Sequence, residues 1–125
     1  MILLLDAHAL LWWMADDPTL SASARDAMRD PANDILVSAA TVWEIEIKRA
    51  LGKLTAPDGI VEALESAGFD ALPIGAADSE AAGRLPAHHR DPFDRMLVAQ
   101  AERLDAVIVS RDRSFDAYGV EVLPT

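Results

Sequence analysis

The sequence predicts an α/β fold, in which helices cover both faces of a central, mostly parallel sheet of four to five strands. Two observations predict it. Short apolar runs such as "ILLL", "ILV" and "AVIV" are typical of strands that are buried on both faces of a sheet. Segments with helical spacing separate these runs, and strands that alternate with helices indicate a parallel sheet. The length of 125 residues fits one domain, which we expect to span residues 1–125.

Five segments have the apolar character of strands. We predict them over residues 2–6, 34–38, 70–74, 106–110 and 120–124. The third segment contains Pro73, which has no backbone N–H to donate to a neighbouring strand. We therefore expect the third strand to lie at an edge of the sheet.

Six segments have the spacing and the end signals of helices. We predict them over residues 7–17, 20–31, 39–51, 58–68, 76–86 and 91–104. Ser21 or Ser23 can cap the second helix, which should stop at Pro31. Gly52 follows the third helix where a C-terminal cap is expected.

Composition limits the classes of function. The net charge of −10 argues against broad electrostatic binding to nucleic acid. Eight of the eleven basic residues nevertheless lie in three short stretches, although these could simply be solvated helix faces: Lys48, Arg49 and Lys53; Arg84, Arg90 and Arg95; Arg111 and Arg113. The absence of cysteine excludes disulfides, thiolate nucleophiles and zinc–cysteine sites. The apolar N-terminal stretch lacks the charged start of a signal peptide and the length of a membrane span, so we expect a cytoplasmic protein with no membrane contact.

Four acidic residues in separate segments are predicted at the same edge of the sheet. Asp6 ends the first strand, Asp112 follows the fourth, and Glu44 and Asp94 lie on helices that start at this edge. Ligands bind to such sheets beyond the carboxyl ends of the strands. Two carboxylates about 4 Å apart repel each other by about 4 kcal/mol at an effective dielectric near 20, so several together need a cation or protons. Carboxylate oxygens without cysteine favour Mg²⁺ or Mn²⁺.

Each of these acids also has a purely structural interpretation. Asp6 could cap the helix that follows it, and Asp112 could be an ordinary loop residue. Glu44 could complete a capping box with Thr41, unless Ser38 caps the helix earlier and leaves Glu44 in the second turn. Asp91 before Pro92 is typical of a helix N-cap, which places Asp94 at the third helical position.

Other phosphate-handling motifs are absent from the sequence. It contains neither a GxGxxG motif after the first strand nor a GxxxxGK[ST] motif. The first strand ends in "DAH" rather than in the Asp-x-Asp pair of an aspartyl-phosphate phosphatase. His88 and His89 lie in a polar loop, where solvation or a contact with phosphate is favoured over metal binding.

Four motifs, in this order, resemble those of PIN domains, and in particular the VapC-like toxins of bacterial toxin–antitoxin pairs. The motifs are "LLLDAHALLW", "VSAATVWEIEIKRALGKL", "HRDPFDRMLVAQA" and "VSRDRSF". The resemblance covers nearly the whole chain. It implies a PIN-like three-layer sandwich whose acidic cluster binds Mg²⁺ or Mn²⁺ and cleaves RNA as an endoribonuclease.

The resemblance also implies roles for individual residues. Asp6, Glu44, Asp94 and Asp112 match the catalytic, metal-binding acids. Ser110 matches the small hydroxyl residue before the last acid, and Asp91 and Ser38 are expected to cap helices or to support the acids. From their positions in the motifs, we expect four basic residues to gather near the acids and to bind the RNA backbone: Lys48, Arg90, Arg95 and Arg111.

The resemblance further implies protein partners. These are a cognate antitoxin, for which the acidic site predicts a basic inhibitory segment, and a second copy of the chain in a homodimer. Trp12 and Trp13 are compatible with a dimer, but core packing explains them equally well. Two alternative functions remain open: a non-catalytic PIN-fold module that binds RNA or protein, and a small-molecule phosphohydrolase.

Overall fold

A computed structural model of the protein, described here for residues 1–88 and 90–125, shows a five-stranded sheet with the strand order β3-β2-β1-β4-β5. Every pair of neighbouring strands is parallel. The strands are β1 Ile2–Leu5, β2 Asp34–Ser38, β3 Asp70–Leu72, β4 Val107–Val109 and β5 Val122–Leu123. The predicted α/β fold is confirmed, and the third strand lies at an edge as expected, ending just before Pro73.

The central strand β1 is buried on both faces. Leu3 pairs with Ile35 of β2, and Leu4 pairs with Ile108 of β4. Leu3 and Leu5 belong to one hydrophobic cluster, whereas Leu4 belongs to another. Because successive side chains of a strand point to opposite faces, the two clusters lie on opposite sides of the sheet. This arrangement gives the three layers of a sandwich.

Helices supply the two outer layers. They are α1 Ala7–Met14, α2 Ala22–Arg29, α3 Ala39–Ala50, α4 Ile60–Ser66, α5 Ala76–Arg84 and α6 Pro92–Leu104. Leu10, Ile45 and Leu64 pack in the first cluster, while Leu97 and Phe115 pack in the second. None of the helices within the described ranges is both long enough and apolar enough to cross a membrane.

The sequence signals predicted the caps of two helices, and the structure shows the hydrogen bonds that form them. Ser21, rather than Ser23, caps α2, because its hydroxyl accepts a hydrogen bond from the backbone N–H of Ala24 at 3.1 Å. Gly52 follows α3 with a φ of 70°, and its N–H donates to the carbonyl of Arg49, while the N–H of Lys53 donates to the carbonyl of Lys48. These two bonds form a Schellman motif, whose left-handed residue favours glycine.

Several elements are shorter than predicted: α1 ends at Met14, α2 spans Ala22–Arg29, α5 ends at Arg84 and β3 ends at Leu72. Two further elements also differ from the prediction. Helix α4 begins at Ile60 rather than near residue 58, because Gly59 precedes it in the left-handed region with a φ of 71°. A short 3₁₀ helix, Arg113–Tyr118, was not predicted. Asp112 caps it by accepting a hydrogen bond from the N–H of Ser114 at 2.9 Å, and Phe115 anchors it in the core.

Candidate active site

A cavity of about 180 Å³ lies where β1 and β4 end and where α3 and α6 begin. Its lining contains all four of the predicted acids, which come from four separate segments of the chain. The lining residues are Asp6, Ala7, His8, Glu44, Lys48, Asp91, Asp94, Arg111 and Asp112. The expectation that the acids meet at the carboxyl edge of the sheet therefore agrees with the structure.

Asp6 both caps a helix and lines the cavity. Its Oδ1 accepts a hydrogen bond from the N–H of Ala9 at 2.9 Å, at the start of α1. Burial raises the pKa of Asp6, and hydrogen bonds from the Ser110 hydroxyl and from Ala9 oppose that rise. The buried Ser110 Oγ also accepts a bond from the N–H of Asp112 at 3.0 Å. Ser110 thus ties the first acid to the segment that carries the last one.

Glu44 lies in the second turn of α3. Ser38 caps this helix by accepting a hydrogen bond from the N–H of Ala40 at 3.1 Å. Thr41 is not the cap, because its hydroxyl donates to the carbonyl of Leu5 at 3.2 Å. The capping box with Thr41 is therefore wrong, and the alternative in which Ser38 caps the helix is confirmed. Glu44 is only 7% exposed and faces the cavity.

Lys48 forms an ion pair with Glu44 within α3. Its Nζ donates to Oε2 of Glu44 at 2.5 Å, one helical turn away. The hydrogen bond to Glu44 raises the pKa of Lys48, and the charges of Asp91 and Asp94 add to that rise. A single ammonium group therefore interacts with three of the carboxylates that line the cavity.

Asp91 is the N-cap of α6, as predicted. Its Oδ1 accepts hydrogen bonds from the N–H groups of Phe93 at 2.8 Å and Asp94 at 3.2 Å, and Pro92 occupies the first turn. This geometry holds Asp94 at the mouth of the helix, where the helix dipole favours a negative charge. Asp91 itself also lines the cavity.

Arg111 and His8 flank the acids through a shared contact with Trp12. The guanidinium carbon of Arg111 lies 4.6 Å from the centre of the Trp12 ring, and the His8 ring lies 5.3 Å from it. Arg111 also donates to the carbonyls of Thr19 and Thr125, at 3.2 and 3.3 Å. His8 was not predicted at the site, although its place two residues after Asp6 in "DAH" was the available signal.

The structure separates the four basic residues that were expected to gather around the acids. Lys48 and Arg111 line the cavity, whereas Arg90 and Arg95 line a different pocket between α5 and α6. Arg95 donates to the backbone carbonyls of Ala82 and Leu85, at 2.9 and 3.0 Å. Those carbonyls lie in the last turn of α5 and at its C-cap, so packing of α5 against α6 accounts for the position of Arg95.

The remaining polar and aromatic candidates lie away from the cavity lining. His88 is exposed and its ring contacts Tyr118, with 5.2 Å between the ring centres. His89 lies outside the described residues. Trp12 and Trp13 are partly buried and pack against the larger hydrophobic cluster, so core packing accounts for both.

Comparisons with known proteins agree with this architecture. The sequence matches the PIN domain family over residues 3–121. The chain belongs to the PIN domain family. A search of curated proteins gives no significant sequence match.

Solved structures with the same fold include several toxin–antitoxin complexes. DNA-bound VapBC from Salmonella typhimurium matches this PIN domain with a TM-score of 0.71 at 17% identity, covering 99% of this chain and 98% of that one. VapBC2 from Rickettsia felis, bound to a promoter DNA fragment, gives 0.70 at 13% identity with the same coverage. FitAcB from Neisseria gonorrhoeae gives 0.64 at 21% identity, covering 98% and 96%. Because the sequence identities are this low, these comparisons show similarity of fold only.

The acidic side chains in the cavity of this PIN domain are of the chemical type that a hard divalent cation prefers as ligands. The acids offer only carboxylate oxygens, which Mg²⁺ and Mn²⁺ prefer. Across residues 1–88 and 90–125, however, no three carboxylates or imidazoles are grouped closely enough to form a ready ligand set. In addition, Glu44 is already paired with Lys48 of the same helix. A metal ion would have to compete with Lys48 for Glu44.

Proposed function

We propose that this PIN domain is a metal-dependent endoribonuclease and the toxin of a toxin–antitoxin pair. One observation carries the proposal: four acids from four separate segments line one cavity together with Lys48 and Arg111. A cavity with acids for a metal and cations for phosphate suits hydrolysis of a phosphodiester. Membership of the PIN domain family supports the nuclease class, because these domains are generally nucleases.

In this proposal Asp6, Glu44, Asp94 and Asp112 hold Mg²⁺ or Mn²⁺. A bound ion of this kind lowers the pKa of a water ligand and stabilises charge on phosphoryl oxygens. The protein supplies the ligands from rigid positions. Asp6 is fixed by hydrogen bonds from Ala9 and Ser110, and the Asp91 cap fixes the start of the helix that presents Asp94.

Lys48 and Arg111 bind the phosphate groups of the substrate in this proposal. Arg111 suits the role because its guanidinium is already held by Trp12 and by two carbonyls, so little freedom is lost on binding. Lys48 reaches the same cavity from α3 on a flexible side chain. Arg95 has no such role in this proposal, because its guanidinium binds carbonyls at the C-terminal end of α5.

The non-catalytic module remains the second candidate, and the Lys48–Glu44 ion pair is the observation that favours it. In such a module Lys48 would neutralise the acids permanently, and RNA or protein would bind without being cut. The absence of a phosphate-binding loop and of an Asp-x-Asp nucleophile weighs against a small-molecule phosphohydrolase.

The partner proposals rest on the structural neighbours, which are complexes named VapBC and FitAcB. We propose a cognate antitoxin with a basic inhibitory segment, a homodimeric state and a cytoplasmic location. An acidic chain with an acidic cavity favours a basic partner segment. Measurement of the mass in solution, with and without the antitoxin, tests the assembly directly.

The central experiment incubates the purified protein with total RNA in Mn²⁺ and in EDTA. We expect discrete cleavage products in Mn²⁺ and none in EDTA. Asp94→Asn should abolish the products, whereas Asp26→Asn, which changes an exposed acid on α2, should leave them unchanged. RNA that stays intact with the wild type under every metal condition would contradict the nuclease proposal and support the non-catalytic module.

A further inference from the structure

An aromatic pair, the exposed Trp43 and the half-buried Phe93, joins the two helices that bring acids to the cavity. Trp43 lies one residue before Glu44 on α3, and Phe93 lies one residue before Asp94 on α6. Their ring centres are 5.3 Å apart at an interplanar angle of 83°, which is an edge-to-face contact. Neither ring lines the cavity, but the pair bridges the two helices at the residues next to Glu44 and Asp94, so it lies at the outer side of the cavity wall that these helices form.

Trp43 is unusually exposed for its size. Among the large apolar side chains in the described parts of the chain, four are mainly exposed, and Trp43, at 62%, is the aromatic one. In an edge-to-face pair, whichever ring supplies the edge, Phe93 covers at most one face of the indole. With 62% of its surface exposed, Trp43 keeps surface that a flat ligand can contact, and the contact with Phe93 holds the indole in place.

We infer that Trp43, supported by Phe93, is a stacking platform for an unpaired RNA base next to the scissile phosphate. The inference deepens the proposed function and rests on it for the identity of the substrate. Proteins recognise single-stranded RNA largely by stacking splayed bases on aromatic side chains. A base bound at Trp43 would bring the adjoining phosphate group to the edge of the cavity that α3 and α6 form, where Glu44 and Asp94 are presented.

The charge of the protein explains why such a platform would matter. The chain has a net charge of −10, and, among residues 1–88 and 90–125, Lys48 and Arg111 are the lysines and arginines of the cavity lining. Attraction of phosphates therefore gives limited affinity. Stacking depends on the face of a base rather than on charge, so it can supply affinity that an acidic protein otherwise lacks. The same argument selects single strands, because the bases of a duplex are already stacked.

The test compares Trp43→Phe with Trp43→Leu, both on an Asp94→Asn background intended to keep the RNA intact in Mg²⁺. Phe keeps an aromatic face, whereas Leu keeps only apolar surface. Leu51→Ala is the matched control, because Leu51 is 63% exposed at the end of the same helix. Affinity is measured for a short unpaired RNA, for the same sequence as a duplex, and for an abasic strand of equal length. Gel analysis confirms that each strand is intact.

We expect Trp43→Leu to weaken binding of the unpaired RNA about ten- to a hundredfold, which is the range found for loss of one base stack. Trp43→Phe should retain most of the affinity, and Leu51→Ala should retain all of it. The duplex and the abasic strand should bind weakly and equally to all variants. Equal affinity of the Phe and Leu variants for unpaired RNA would overturn the inference. An altered oligomeric state of the Leu variant in that case would assign Trp43 to a contact between protein chains.

The outcome is separable from that of the proposed function. If wild-type protein never cuts RNA but Trp43→Leu loses affinity for unpaired RNA, the platform stands and the nuclease proposal fails. If wild-type protein cuts RNA and the Trp43→Leu variant on the Asp94→Asn background binds unpaired RNA as tightly as Asp94→Asn alone, the platform fails and the nuclease proposal stands.

Discussion

Lys48 Nζ lies 2.5 Å from Oε2 of Glu44, so one of the five acids that line the cavity is already paired with a cation of its own helix. The two residues are four positions apart on α3, the spacing at which side chains meet on a helix surface. The ammonium group reduces repulsion among the acids before any metal ion binds. It also competes with a metal ion for Glu44, and it is one of the two cations available to hold a phosphate group.

The first prediction separates these two effects of Lys48. Lys48→Gln should strengthen Mn²⁺ binding about two- to fivefold, because an ion pair that is partly exposed contributes on the order of 0.5–1 kcal/mol. The same change should weaken RNA binding, because a phosphate contact is lost. Titration calorimetry with Mn²⁺ and an RNA-binding assay measure the two effects. Lys53→Gln, an exposed change just beyond the helix, is the control. Weaker Mn²⁺ binding by the Lys48 variant would show that Lys48 supports the metal site instead of competing with the metal.

The second prediction concerns the two acids at the start of α6. Asp94→Asn should abolish metal-dependent cleavage while the protein stays folded. Asp91→Ala should lower the free energy of unfolding by about 0.5–2 kcal/mol, because the N–H groups of Phe93 and Asp94 lose their cap. Thermal melting and an RNA cleavage assay measure both variants.

Asp91→Ser sharpens this comparison. Serine can still cap the helix, but it carries no charge into the cavity. If Asp91 acts only as a cap, Asp91→Ser should keep both stability and cleavage. A loss of cleavage by Asp91→Ser, with unchanged melting, would make Asp91 a further metal ligand.

The sequence could predict those parts of the site that depend on local patterns. The apolar run before Asp6 and the Asp91–Pro92 cap are encoded within a few residues, and the structure shows both of them. The position of Arg95 could not be predicted in this way. Its partners are carbonyls at residues 82–86, and the contact exists only because α5 packs against α6.

Other features needed the three-dimensional fold for similar reasons. The stacking of Arg111 on Trp12 joins residues from opposite ends of the chain, and nothing in the spacing of either indicates it. The 3₁₀ helix after Asp112 is too short to show an apolar period. Whether Glu44 belongs to a capping box depended on Thr41. Its hydroxyl donates to the carbonyl of Leu5 across the sheet edge, so Thr41 does not cap the helix.

The third prediction concerns a structural acid far from the cavity. Asp78 on α5 is 4% exposed, and its carboxylate accepts bonds from Arg103 of α6 at 2.6 and 3.1 Å. The Arg103 guanidinium lowers the pKa of Asp78 below its usual value of 3.8. Because the folded-state pKa is the lower one, the stability that this group contributes is present above pH 3.8 and is lost as the pH falls through the folded-state value.

Asp78→Asn should therefore lower the melting temperature by several degrees at neutral pH and leave RNA cleavage unchanged. The difference from wild type should shrink as the pH falls below about 4, the ordinary pKa of an aspartate. Melting curves across this pH range measure the effect, with Asp70→Asn on the edge strand as an exposed control. A difference that stays constant down to the lowest pH would mean that packing, rather than the charge of Asp78, supplies the stability.

The fourth prediction distinguishes two arginines that the sequence grouped together. Arg111→Gln should weaken RNA binding and reduce the slope of log affinity against log salt by about 0.7, the value for one phosphate contact with a single strand. Arg95→Gln should leave that slope unchanged. It should instead lower the free energy of unfolding by about 1–3 kcal/mol, because its carbonyl partners lose a charged donor. Salt titrations of RNA binding and melting curves are measured for both variants. A reduced salt slope for Arg95→Gln would show that Arg95 contacts the RNA backbone.

The last prediction concerns control of the nuclease by the proposed antitoxin. An arginine of a basic partner segment can pair with two carboxylate oxygens at once, so it suits the cavity lined by Asp6, Glu44 and Asp94. Such an arginine would exclude a metal ion from the same carboxylates. We expect the cognate antitoxin, encoded near this chain, to bind tightly and to block cleavage. Calorimetry and the RNA assay measure binding and inhibition.

The variant Asp6→Asn/Asp94→Asn tests whether the cavity itself is blocked. Removing two carboxylates should weaken antitoxin binding at least tenfold, because charge-assisted hydrogen bonds to arginine are lost. Asp26→Asn/Asp70→Asn changes the net charge by the same amount at exposed positions outside the cavity, so it controls for general attraction between an acidic chain and a basic segment. If both double variants bind the antitoxin as tightly as wild type does, the inhibitory contact lies elsewhere on the surface. If both weaken equally, net charge rather than the cavity attracts the partner.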